Sequence, residues 1–321
     1  AVCTSEPRVR EWLREASESL LRALPGLGGA ILITASEYVG HCYSKYGYLR
    51  SLKRTPGTPP MAPLSCSRCA ARHPAEIVGE IVRAVHAGFH DAGQGAEVIA
   101  WNWSWSMYEE DPSPRILEAL PADVPVLIDF ERGARRVILG RERFLDEYSL
   151  GYVGPSERFL KTYRAVRAQK RRVVAKLQIG TTHELATVAN LPLIGNLYAK
   201  ARALRRLKVP DILGCWNFGN MLTANTAAFA RFMDARPLPP RRRALREFAA
   251  AYFPGCRPVC VAEAWEAFAR AMEFFPFNMP MLYRGPMNFA LVLPIRPRPL
   301  TGKPLGRSWL PDKRGDDLPV V

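Results

Sequence analysis

The sequence lacks the marks of several protein classes. No stretch approaches about 20 uninterrupted apolar residues, so no transmembrane helix is predicted. The chain does not open with the basic-then-apolar order of a signal peptide, and it begins with Ala instead of Met. No internal repeat of fixed period is evident. No glycine-rich phosphate loop follows any predicted strand, which argues against a nucleotide-binding doubly wound sheet.

Cysteine usage and composition narrow the class further. The seven cysteines are an odd number scattered over 321 residues, which excludes a small secreted disulfide framework. A reducing compartment is therefore the default, and a cytoplasmic location is favoured. The composition, 48% hydrophobic, 23% charged and 10% aromatic, is that of a globular protein with one large domain or two medium ones.

The chain is strongly basic, with 45 Lys and Arg residues against 30 Asp and Glu and a net charge of +15. Basic surfaces neutralise phosphates, which makes nucleic acid an obvious partner to consider. However, the arginines are spread over nearly every predicted helix, and no known nucleic-acid-binding motif occurs. The sequence therefore predicts no specific nucleic-acid partner and no membrane partner.

Helices and strands alternate up to about residue 219. Five short apolar strands are separated by amphipathic helices in units of roughly 30–40 residues, which is typical of parallel βαβ units. The segment 137–150 is interpreted as a hairpin-like excursion. From residue 223 the pattern predicts helices alone, at 223–234, 241–253 and 258–275, and from residue 294 the chain is rich in proline and arginine.

Each predicted strand turns polar or aromatic at its carboxyl end, the edge where α/β folds place their active sites. Asp129 and Glu131 lie two residues apart and share one face, so both are candidate catalytic carboxylates. Carboxylates among tryptophans suit carbohydrate chemistry, because indole faces stack on sugar rings and two carboxyl groups supply an acid and a nucleophile or base. The alternative is that the tryptophans are core and the carboxylates pair with Lys176 and Arg132. The candidate substrate-binding residues are His41, Trp101, Asn102, Trp103, Lys176, Gln178, His183, Glu184, Trp216 and Asn217.

Four strand-end motifs, ITASE, WNWSW, VLIDFERG and GCWNFGN, resemble the C-terminal half of a glycoside hydrolase barrel, and most resemble the family-20 β-hexosaminidases. The resemblance implies an α/β fold of the (β/α)8 TIM-barrel type, here partial, with about five βα units as strands 4–8. The resemblance covers roughly residues 7–225 and makes Glu37 the general acid/base. Together with the pattern after residue 223, it predicts a partial-barrel catalytic domain at 1–222, a helical C-terminal region at 223–293 and an extended tail at 294–321.

The chain departs from the family pattern at two positions. Ser36 stands where the family has the Asp that orients the acetamido group of the substrate, so N-acetylhexosamine specificity is in doubt and a protein nucleophile is favoured. Gln178 stands where the wider clan has its nucleophilic Glu, and Glu184 follows six residues later. The predicted activity is hydrolysis of a glycosidic bond by carboxylate acid/base catalysis. The alternatives are a non-catalytic carbohydrate-binding or scaffold protein, and a metal-dependent lyase or hydrolase.

A CxxC pair with a nearby Cys and His has the donors of a tetrahedral zinc site. Cys66 and Cys69 form the pair, and His41, Cys42 and His73 flank it. In one interpretation Cys42, Cys66 and Cys69 hold a structural zinc ion that pins the long segment after the first strand. The other interpretation, which is preferred, is a metal-free CxxC pair beside a substrate-binding His41. The predicted reaction itself requires no cofactor.

The length fits a whole barrel poorly. A complete (β/α)8 barrel takes about 250 residues and eight strands, whereas only five strands are predicted before residue 220. The expectation is therefore a C-terminal portion of a longer enzyme, or a partial barrel whose open edge is covered by a homo-oligomeric partner.

Overall fold

The computed structural model describes residues 2–35, 40–43, 66–93, 95–145, 147–180, 190–216, 222–275 and 277, and every structural statement below refers to these residues. Of the predicted site residues, Glu37, His183, Glu184 and Asn217 lie outside them. The chain divides into two compact units. Unit 1 comprises residues 1–129 and 158–175, and unit 2 comprises residues 130–157 and 176–321.

Unit 1 begins with helix α1 (Pro7–Ala23) and strand β1 (Gly29–Ile33), which the short helix α2 (Ser67–Ala70) and helix α3 (Pro74–Asp91) follow. Strand β2 (Glu97–Trp101), helix α4 (Pro114–Ala119) and strand β3 (Val126–Asp129) come next. The proline predicted to open α3 is confirmed at its first turn. The helix also has a capping box, in which the His73 ring accepts a hydrogen bond from Ala75 N and the Glu76 carboxylate accepts one from His73 N.

Strands β1, β2 and β3 pair in parallel. Gly29 to Ile33 of β1 lie in register with Glu97 to Trp101 of β2, and Trp101 also pairs with Leu127 of β3. All four residues of β3 are buried. The carboxyl ends of β1, β2 and β3 therefore meet at one edge of the sheet, as the sequence predicts.

The predicted (β/α)8 barrel, with the five strands as its strands 4–8, is wrong. The described strands form a five-stranded sheet in the order β1-β2-β3-β6-β7, where β6 is Val173–Lys176 and β7 is Ile212–Leu213. A second sheet pairs β4 (Ala134–Ile138) antiparallel to β5 (Arg141–Leu145). Among the described residues the large sheet has two edge strands, whereas a closed barrel has none. The architecture is mixed α/β with an open parallel sheet. The polar strand ends could not distinguish this sheet from a barrel, because open and closed parallel sheets both place such residues at the carboxyl ends of their strands.

Helix α3 packs on α1 through Gly88. A Cβ atom at Gly88 would overlap the backbone oxygen of Arg14, so only glycine allows the two helices to approach this closely. We expect Gly88→Ala to lower the free energy of unfolding by about 1–3 kcal/mol, despite the higher helix propensity of alanine. Urea denaturation measures this loss. Gly26→Ala is the control, because no atom lies within 4 Å of the new methyl group, and an equal effect of both changes would contradict the packing argument.

In its described residues, unit 2 contains the β4–β5 hairpin, which overlaps the excursion predicted at 137–150, and four helices. Helix α5 (Glu157–Ala168) belongs to unit 1 except for its first residue, Glu157, which is counted in unit 2. The helices of unit 2 are α6 (Ile194–Leu207), α7 (Ala224–Asp234), α8 (Arg241–Tyr252) and α9 (Pro258–Phe274). Their core includes edge-on and tilted contacts of Phe248 with Phe232 and Trp265. No helix among the described residues is both long and apolar enough to cross a membrane.

Candidate functional site

Four cysteines of unit 1 converge on one point. The Sγ atoms of Cys3, Cys42, Cys66 and Cys69 all lie within 4.8 Å of one another, and the Sγ atom of Cys3 is 3.6 Å from that of Cys66 and 3.5 Å from that of Cys69. None of them forms a disulfide. Thiolates around a tetrahedral zinc ion lie roughly 3.8 Å apart, given Zn–S bonds of about 2.3 Å. The four thiols are thus close enough to bind a metal ion.

Short local contacts assemble this centre from three places in the chain. Cys3 precedes α1, and a backbone bridge between Val2 and His41, with Val2 N donating to Gly40 O at 3.0 Å, brings it beside Cys42. Cys66 is the residue before α2, and Cys69 lies inside that helix. The Tyr43 hydroxyl donates to the carbonyl oxygens of Cys69 (2.9 Å) and Arg72 (2.6 Å), which fastens the segment after Cys42 to the end of α2.

The thiols differ in acidity. The backbone N–H of Cys69, together with the Cys3 thiol, lowers the pKa of Cys66 to about 7 by hydrogen bonding to its thiolate. Burial raises the pKa of Cys42 and of Cys69. Cys66 therefore ionises before Cys42 and Cys69, and a bound cation would stabilise the thiolate forms of these two residues.

The sequence-based ligand set named Cys42, Cys66 and Cys69 and missed Cys3. Cys3 lies 39 positions before Cys42, so no spacing rule connects the two residues. His73, which flanks the CxxC pair, is not placed in the cluster and instead caps α3.

His41 is a buried structural histidine in the described residues. Its Nε2–H donates to Thr34 O at 2.6 Å, and its Nδ1 accepts from Tyr43 N at 3.2 Å, which fixes a neutral tautomer. Burial lowers its pKa, in keeping with the neutral form. The Thr34–His41 hydrogen bond joins the two ends of the segment 35–40, which follows β1.

Indole groups hold polar side chains at the carboxyl edge of unit 1. The Trp101 Nε1–H donates to Asp129 Oδ1 at 2.8 Å, and the Trp105 Nε1–H donates to Thr34 Oγ1 at 2.8 Å. Asn102 accepts from the backbone N of Asp129 at 3.3 Å. The structure thus brings the predicted residues Trp101, Asn102 and Asp129 together, and Trp103 is half-buried beside them in the chain.

A second polar cluster lies inside unit 2. Glu131 and Lys200 are both fully buried and form an ion pair through Oε1 and Nζ. Lys200 also donates to Ser149 O (2.7 Å) and Gln178 O (3.0 Å), and Gln178 N donates to Glu131 Oε1 at 3.0 Å. Complete burial raises the pKa of Glu131, and the charges of Lys200 and Lys176 oppose this rise. The alternative in which the carboxylates pair with basic side chains thus describes Glu131, with Lys200 as a partner that the sequence did not indicate.

The predicted residues Lys176, Gln178 and Trp216, which the structure describes in unit 2, join this cluster. Lys176 donates to Gln178 Oε1 at 2.7 Å, and its Nζ lies 3.8 Å from the centre of the Tyr148 ring. Trp216 N donates to the same Gln178 oxygen at 2.9 Å. Gln178 is therefore the residue that connects the ends of β6 and the segment after β7.

Comparison with known proteins identifies no relative: no protein-family model, no curated protein and no solved structure matches the chain. The resemblance to glycoside hydrolases therefore stays a prediction that depends on the strand-end residues.

Proposed function

We propose that this chain is a glycoside hydrolase in which a structural zinc ion fixes the segment that carries the catalytic acid. One observation carries the proposal. Four thiol groups meet within 4.8 Å, and one of them belongs to Cys42, which follows the segment 35–40 in the sequence; this segment contains Glu37 and comes after β1. A bound ion would hold one end of that segment, and the Thr34–His41 hydrogen bond holds both ends together.

The chemistry of the donor set favours zinc. Thiolates are soft ligands, and four of them in a tetrahedral arrangement are typical of structural zinc sites. Cys3, Cys42, Cys66 and Cys69 would fill all four positions, so none stays open for water or substrate. This favours a structural role and argues against the metal-dependent lyase or hydrolase that the sequence left open.

The two candidate carboxylates that the structure describes, Asp129 and Glu131, have different roles in this proposal. Asp129 lies at the sheet edge with its Oδ1 held by the Trp101 indole, and it serves as the partner of Glu37. Glu131 has no part in the reaction, because its carboxylate is fully buried and bonded to Lys200. Glu37 protonates the glycosidic oxygen as its bond to the anomeric carbon breaks, and Asp129 stabilises the positive charge that develops on the sugar. A water molecule then bonds to the anomeric carbon and gives one proton back to the Glu37 carboxylate.

We expect Glu37→Gln to lower kcat/KM on a cleavable aryl glycoside at least hundredfold, because the amide has no proton to give to the leaving group. A panel of aryl glycosides first identifies the substrate that the wild-type chain cleaves. Melting temperature and zinc content should stay at wild-type values.

Glu15→Gln is the matched control, because Glu15 is an exposed residue of α1 and should retain activity within twofold. Wild-type turnover by Glu37→Gln would overturn the assignment of the acid. Sugar binding by the wild-type chain without cleavage of any glycoside would instead indicate a non-catalytic carbohydrate-binding protein.

A further inference from the structure

Unit 2 contains a groove of about 970 Å³ with a strongly basic wall. Arg202, Arg205 and Arg206 line it from the second half of α6, and Arg241 lines it from the first turn of α8. No Asp or Glu lines the groove in the part of the chain that the structure describes. The sequence suggested arginines dispersed over the helices, whereas the fold gathers four of them around one cavity.

The four arginines differ in how their charge is balanced. Arg241 forms a two-point ion pair with Glu266, with contacts of 2.7 and 2.6 Å. Arg205 donates to the carbonyl oxygen of Met233 at 2.6 Å, which leaves its charge unneutralised. Within the described residues, the side chains of Arg202 and Arg206 make no hydrogen bond and no ion pair. Three positive charges therefore face the groove without a carboxylate partner.

The spacing of these arginines lowers the intrinsic stability of helix α6. Arg202 and Arg206 lie four residues apart, and like charges at this spacing destabilise a helix by a few tenths of a kcal/mol. The last turn of a helix favours cations, which offsets part of the cost for Arg205 and Arg206 but not for Arg202, one turn earlier. An anion bound between them would remove the repulsion.

We propose that this groove binds a small ligand carrying a multiply charged tetrahedral oxyanion, a phosphoryl or sulfate group. Guanidinium groups form paired hydrogen bonds with such oxyanions, which makes arginine the preferred side chain for them. The volume is at the upper end of the range for small-molecule sites, about 300–1,000 Å³. The groove is also lined by the apolar residues Val153, Pro155, Leu238 and Pro240, which suit the uncharged body of a phosphorylated or sulfated molecule.

Calorimetric titration of the full chain with pyrophosphate and with sulfate at low ionic strength tests the proposal. We expect saturable binding of at least one of the two anions, and Arg202→Gln/Arg206→Gln should weaken it at least tenfold. Tighter binding of pyrophosphate identifies a phosphorylated ligand, and tighter binding of sulfate identifies a sulfated one. Both variant side chains are exposed, so the melting temperature should not change.

The control is Arg164→Gln/Arg167→Gln, which removes the same charge from exposed positions three residues apart on α5 and should bind within twofold of wild type. Equal weakening by both double variants would show that net charge alone attracts the anion, and would overturn the proposal. The absence of saturable binding by either anion would also overturn it, as would binding of only a single-stranded oligonucleotide.

Discussion

Replacing Cys69 with serine is expected to strip zinc from the purified chain and to lower its free energy of unfolding by at least about 3 kcal/mol. Structural zinc sites contribute apparent binding energies of about 10–16 kcal/mol to small domains, and a serine hydroxyl is a poor substitute for a thiolate. Cys69 is the buried member of the four, so the substitution also places a hydroxyl group in a buried position. Metal analysis and urea denaturation measure the two effects.

Cys256→Ser is the matched control for this prediction. Cys256 is exposed and lies outside the cluster, so the variant should retain both zinc and wild-type stability. If Cys69→Ser kept a full complement of zinc, the four-cysteine centre would be contradicted. If it lost zinc at no cost in stability, the structural role of the ion would be contradicted instead.

Replacing Lys200 with methionine is expected to lower the free energy of unfolding by about 3–5 kcal/mol at pH 8. Removing one partner of a buried ion pair leaves the other charge without compensation in a medium of low polarity. Here the remaining carboxylate, Glu131, is fully buried, and among the described residues it keeps one hydrogen-bond donor, the backbone N–H of Gln178, and the charge of Lys176, which makes no ion pair with it. Urea denaturation at fixed pH measures the loss.

The loss should depend on pH in a defined direction. Burial raises the pKa of Glu131 in the folded state, and removal of Lys200 raises it further, because the attraction to the ammonium group is lost. Between the unfolded pKa of about 4.3 and the raised folded pKa, the folded variant holds a proton that the unfolded chain releases. The stability of Lys200→Met therefore falls as the pH rises through this window, and its deficit relative to wild type is smaller at pH 5 than at pH 8.

A second substitution separates the buried charge from simple loss of packing. Lys200→Met/Glu131→Gln removes both charges, so it should recover most of the stability lost at pH 8 and flatten the pH dependence. Equal deficits at pH 5 and pH 8, with no recovery in the double variant, would contradict the ion-pair account.

Much of the secondary structure follows from local sequence. The proline at position 74 and the 3.6-residue periodicity after it predict α3, and the helices beyond residue 223 lie within one residue of their predicted bounds. Local sequence does not indicate whether the sheet closes into a barrel. Each βα unit has the same local pattern in an open sheet and in a barrel, so the resemblance of the strand ends to a barrel enzyme led to the wrong architecture.

The candidate sites were also predicted only in part, because some of their residues are brought together by contacts between distant parts of the chain. The CxxC pair is visible from its spacing, but Cys3 joins it only because a backbone bridge brings residue 2 beside residue 41. Lys200 lies in a helix with three arginines, a context in which a charged residue is expected at the surface. Its burial depends on Glu131, nearly 70 positions earlier.

X-ray absorption spectroscopy at the zinc edge of the purified wild-type chain tests the metal centre most directly. The account predicts one zinc ion per chain, surrounded by four sulfur atoms at about 2.3 Å. A chain without zinc, or a zinc ion with oxygen or nitrogen ligands in place of any of the four sulfurs, would contradict it.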